Sequence, residues 1–196
     1  MRAEEIGLLL KQERGQFLEF LSAYEYRRGG TQKKNEEELA REIVRVLSGM
    51  ANADGGTLLV GVEPDRSVTG IPHEPGEVQQ LIQAPQTLLT PPLHPASVKI
   101  RLGNLLLIKF DAASALEVHR ITGGRSFYRI STETPSLPAE QIQALREAKH
   151  SVIYERQQPL NAGWNDLDPA SITALTDRIG DPRPPEAVLA PGARRV

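Results

Sequence analysis

The chain has 196 residues, no cysteine, a formal net charge of −2, and 39% hydrophobic against 24% charged residues. That length suits one ordinary domain with a short appendage, and the composition is globular rather than disordered. The absent thiols exclude disulfides, thiolate catalysis and cysteine-held metals, and no apolar run approaches the ~20 residues of a membrane span.

Acidic residues directly before the first apolar run, MRAEEIGLLL, do not suit a signal peptide, so a cytoplasmic location is expected. Residues 3 to 11 suit a short helix with Ile6, Leu9 and Leu10 on one side. QFLEFLSAYEY, rich in aromatics and short, reads as a strand. RRGGTQKKN, with paired glycines and no apolar anchor, reads as a loop.

A helix is expected from Asn35. Its side chain suits an N-cap, Glu38 follows at capping-box spacing, and Glu36 to Glu38 complement the helix dipole. Leu39, Ile43, Val46, Leu47 and Met50 then form one apolar face, and the helix ends before Gly55 and Gly56. TLLVGV reads as a buried strand, and PDRS as a turn into a second short strand at Val68 to Ile71.

Residues 75 to 90 carry a helical pattern that Pro85 interrupts and TPPLHP ends. ASVKIRL and LLLIKF are expected to form a hairpin across Gly103–Asn104. LEVHRI, TGG and RSFYRIS read as another strand–turn–strand unit, and SLPAEQIQALREAKHS as a last helix. The pattern predicts a domain over residues 1 to 152, then an extension over 153 to 196 with one short helix and a proline-rich tail. The fold class is α+β, a mostly antiparallel or mixed sheet with flanking helices.

Candidate chemistry is sparse. The four histidines, His73, His94, His119 and His150, lack metal-ligand spacing. Gly55–Gly56 is no phosphate loop, because neither the Walker lysine nor a following helix is present. Carboxylates that would matter if they converged are Glu13 and Glu19, and Glu63 and Asp65 after the glycine-led strand. Arg27, Arg28, Lys33 and Lys34 form one basic cluster. Arg125, Tyr128 and Arg129 form another, suited to charge and stacking contacts with a nucleic acid.

The order of these motifs resembles the Schlafen AlbA-like domain. ERGQFLEF is similar to its glutamate-then-EFK segment, and ANADGGTLLVGVEPDRSVTG to its AFAN-x-x-GG-x-L-L-I-G-V block with acidic turn. RSFYRISTETPSLPAEQIQAL is similar to its YYIR-x-G-x-x-T strand and following helix, so the resemblance spans roughly residues 10 to 150. It implies nucleic-acid binding, to DNA or RNA, in a transcriptional regulator that needs no cofactor and carries no ATPase site.

The resemblance also implies an alternative, a Mn²⁺- or Mg²⁺-dependent endoribonuclease acting on structured RNA such as tRNA. Its metal would then be held by Glu13, Glu19 and Asp65, or Glu63. Three departures oppose cleavage. Glu13 and Glu19 are six apart where the family gap is about five, Leu21 replaces the EFK lysine, and Pro64 occupies the middle acidic position. A third alternative is a dimerisation or protein-interaction module forming a homodimer.

Overall fold

A computed structural model describes residues 3–27 and 30–156, with 168, 170, 173, 174 and 178 beyond them. Its elements are α1 (Ala3–Lys11), β1 (Leu18–Leu21), β2 (Tyr24–Arg27), β3 (Gly30–Lys33), α2 (Glu36–Asn52) and β4 (Gly55–Val60). They continue as α3 (Pro75–Thr87), β5 (Leu89–Thr90), β6 (Ala96–Leu102), β7 (Leu105–Ala113), β8 (Arg120–Ile121) and α4 (Ala139–Arg156). The chain divides into two compact units, Met1–Ile153 and Tyr154–Val196. Most of the expected extension, its proline-rich tail included, lies outside the described residues; of its expected short helix, residues 170, 173, 174 and 178 are described and are helical.

The main sheet runs β1-β4-β7-β6, with β1 parallel to β4 and the other pairs antiparallel. This is the mixed α+β arrangement expected from the sequence. Strand alternation sends side chains to two cores. On one face Leu58, Val60, Ile108 and Phe110 meet Leu39, Ile43, Leu47 and Met50 of α2. On the other, Leu18, Phe20, Leu59 and Leu107 pack with Ile6 of α1. The same alternation turns Glu19 toward the α2 side of the edge strand.

α2 starts as its sequence requires. The Asn35 side chain accepts from the Glu38 amide at 2.7 Å, and three glutamates fill the first turn. Gly55 and Gly56 open β4 at φ +85° and +154°. A Cβ at Gly55 would stand 2.6 Å from the Ala112 carbonyl oxygen, and one at Gly56 3.0 Å from that of Phe17. The pair therefore lets β4 slide between two neighbouring strands.

Several expectations need correction. The QFLEFLSAYEY strand is two, because the chain breaks at Ser22–Ala23 and leaves the sheet as β2. RRGGTQKKN is no simple loop: Gly30–Lys33 is β3, antiparallel to β2 in an exposed hairpin. Val68 to Ile71 makes one bridge, Val62 to Val68, instead of a strand. α3 runs through Pro85 to Thr87, with proline late enough to cost only one bond, and Leu89–Thr90 pairs with β8.

RSFYRIS is also no strand. It makes isolated bridges and is held by α2 rather than by a sheet. Asn52 donates to the carbonyls of His119 and Phe127, each at 2.8 Å, and the Gly49 carbonyl accepts from the Arg129 amide at 3.0 Å. α2 thereby positions the residues that close the site.

Candidate nucleic-acid interface

Glu19 sits on β1 with 7% of its surface exposed, so its charge needs internal partners. One carboxylate oxygen accepts from Arg14 Nε at 3.2 Å and from the Phe20 amide at 2.9 Å. The other accepts from Arg129 at 2.8 Å. Arg129 is 1% exposed and donates further to the Gly15 carbonyl at 2.7 Å and to Thr134 Oγ1 at 3.1 Å. Expected on an outward strand face beside Arg125 and Tyr128, Arg129 is instead a buried counter-ion, because α2 draws its segment inward.

These groups border a groove of about 500 Å³ that also takes in Ser22, Lys34 and Arg45. Its lining carries four cations against two carboxylates, Glu19 and Glu133. Lys34 is neutralised by Glu42 at 2.6 Å. Arg45 donates only to a neutral acceptor, the Thr134 carbonyl at 3.3 Å, and has no ion pair among the described residues. It borders both this groove and a neighbouring depression that holds Glu37, Glu38 and Glu42.

The expected acids are drawn into separate tasks. Glu63 is 4% exposed, and one of its oxygens accepts from Ser22 at 2.6 Å and Thr69 at 2.7 Å. Asp65 is exposed and closes its own turn, accepting from the Ser67 hydroxyl at 2.6 Å and amide at 2.9 Å. Those bonds hold its carboxyl below the ordinary carboxylate range, the hydroxyl foremost. Glu13 is exposed and borders, with Arg66, a depression that shares Arg14 and Pro64 with the groove.

The position five before Glu19 is thus Arg14, a cation bonded to it. Among the described residues, no group of three or more histidine, aspartate and glutamate side chains could hold a metal ion. A divalent cation needs oxygen ligands free to face it. Glu19 offers none that is not already shared with a guanidinium, so these residues do not fit the metal of the nuclease alternative.

The remaining expected contacts lie on the surface. The β2–β3 hairpin springs from the groove rim, since Ser22 precedes β2, Lys34 follows β3, and both line the groove. Arg27 and Lys33 are exposed on it, the first paired with Glu25 at 2.9 Å and the second near Glu77 at 3.6 Å. Tyr26 beside them is 65% exposed, and partial burial, then the Glu63 carboxylate, raises its phenol above its ordinary value. Arg28 lies outside the described residues. Arg125 is exposed and Tyr128 half-buried.

Sequence reasoning missed Arg14, Arg45 and Thr134. Arg45 carried one signal, a cation flanked by the buried positions Val44 and Val46 of an amphipathic helix.

The family model described as Schlafen, AlbA_2 matches residues 21–138. The chain belongs to the Schlafen AlbA_2 family. The matched span of this Schlafen AlbA_2 chain holds the glycine-led strand, the Pro64 turn and Arg129, but begins after Glu19. The DIP2311 protein of Corynebacterium diphtheriae is similar in fold, with TM-score 0.53 and 21% identity over 89% of this chain. This chain spans 32% of that one's length. The N-terminal domain of a RecG-related protein of Nitrosomonas europaea superposes at TM-score 0.44 and 19% identity, covering 66% of this chain and 89% of its own. No curated protein matches. No helix among the described residues is long and apolar enough to cross a membrane.

Proposed function

We propose that this chain is the nucleic-acid-binding domain of a transcriptional regulator, holding DNA or RNA by its phosphates without cleaving it. The observation that carries this reading is Glu19, the expected metal ligand, clamped between Arg14 and Arg129 in a groove that Arg45, without an ion pair among the described residues, also lines. A carboxylate site for a cation has here become a cationic groove for an anion. Arg14 and Arg45 contact phosphates in the groove, and Arg27, Lys33 and Arg125 extend the contact outside it.

Phosphate contacts release counterions, so log K falls with log salt by about 0.9 per contact on a DNA duplex. An electrophoretic shift series over salt, with duplex DNA, single strands and structured RNA, tests this. Arg45→Ala is expected to weaken binding on every sequence and to flatten the salt slope by about 1. No shift of any nucleic acid at low salt refutes the reading, and so does Mn²⁺-dependent cutting of tRNA that Glu19→Gln abolishes.

A further inference from the structure

A second cleft, of about 490 Å³, lies between α3 and the β6–β7 hairpin, bordered by His73, Lys99 and Arg101 over Ile71, Val78 and Leu106. We infer that it is a ligand site for a nucleobase carrying a phosphate. His73 is 8% exposed. Its Nε2 lies 2.9 Å from the Lys34 carbonyl, which can only accept, so Nε2 bears the proton. Nδ1 is then a buried acceptor, and it has no partner among the described residues. Buried acceptors are ordinarily satisfied, and one left open beside a cleft calls for a donor from outside. The amino groups of adenine, cytosine and guanine are such donors, and the aliphatic walls suit the faces of a base.

Lys99 and Arg101 alternate on β6 and so share a face. Lys99 donates to Gln79 of α3 at 3.3 Å, which sets that face toward the helix. Among the described residues, no carboxylate borders the cleft. The nearest acids are occupied: the Glu74 and Glu77 side chains close the N-terminus of α3 in a capping box, and Glu77 also faces Lys33. Two cations therefore border the same cleft as His73, whose orphaned nitrogen lies buried in the cleft wall. The volume lies within the ~300–1,000 Å³ usual for small-ligand sites.

The same chemistry is presented by a free nucleotide and by the 5′ end of a strand. The full chain, labelled with ¹⁵N-histidine, is titrated with adenosine monophosphate, a 5′-phosphorylated dinucleotide and inorganic phosphate. Adenosine monophosphate is expected to move the His73 Nδ1 resonance, and Lys99→Ala with Arg101→Ala to weaken its binding about ten-fold or more. A response to the dinucleotide alone also supports the site and assigns it to strand ends. Inorganic phosphate binding as tightly as the nucleotide with Nδ1 unmoved overturns the proposal, as does silence toward all three. Arg14→Ala and Arg45→Ala are expected to leave this titration unchanged, which separates its failure from that of the groove.

Discussion

A guanidinium 1% exposed has almost no access to water, so the charge of Arg129 is compensated inside the fold by Glu19. Removing one partner of such a pair leaves the other charge stranded. Arg129→Met is therefore expected to lower stability by about 3–5 kcal/mol, measured by denaturant unfolding. Glu19→Leu combined with Arg129→Met is expected to recover most of that loss, because a matched apolar pair strands nothing. Arg14 tests the contrast. Its side chain is 32% exposed, so Arg14→Ala is expected to cost under ~1 kcal/mol while weakening nucleic-acid binding. A large stability loss on Arg14→Ala would mean that it is a core ion rather than a groove cation. Glu19 was legible as a residue of interest from its place before Phe20. Its buried partner Arg129 was not, because a contact across more than a hundred positions leaves no local pattern.

Elements read well where their determinants are local. α2 was visible in its cap and apolar face, and the β6–β7 hairpin in its Gly103–Asn104 turn. The stretch from Ser126 to Ser136 was not, because α2 holds it rather than strand pairing. Gly49 makes that docking work: a Cβ there would stand 2.3 Å from Thr134 Cγ2. Thr134 cannot rotate freely while its hydroxyl accepts from Arg129. Overpacking of about 1–3 kcal/mol thus opposes alanine's ~1 kcal/mol preference for a helix. Gly49→Ala is expected to lower the Tm and weaken nucleic-acid binding together, read by calorimetry and gel shift on the same preparations.

α3 supplies a pH dependence. The Glu74 amide above all, with Lys33 and His73 assisting, holds the Glu77 carboxyl below its ordinary value. A depressed folded value stabilises fully above the unfolded one, about 4.3 for glutamate, and the benefit is lost as pH falls through the folded value. Amide protection in the first turn of α3, taken relative to the intrinsic exchange rate at each pH, is expected to fall across that acidic window. Glu77→Gln is expected to show the lower protection already at neutral pH.

Across the whole molecule, a net charge of −2 gives no general attraction to nucleic acid. Affinity must then come from the arrangement of a few cations, and the salt slope is expected to be shallow, set by the groove and hairpin. Charge-reversing Lys33 or Arg27 at the exposed hairpin is expected to slow association more than it speeds dissociation, measured by stopped-flow mixing. Composition hinted at neither feature, since a balanced total conceals where each charge stands.

The clamp on Glu19 also sets a timetable. Arg129 reaches back to the Leu18 carbonyl, 111 positions earlier. At ribosomal speeds of about 5–20 residues per second, β1 waits roughly 6–20 s after its own synthesis before that guanidinium exists. Until then the carboxylate has only Arg14 and the Phe20 amide, and the growing chain cannot complete the groove. Under the proposed function, binding competence is therefore expected late, after α2 and the sheet have had time to form. A partly made chain can be folded over most of its length and still unable to hold a phosphate in the groove.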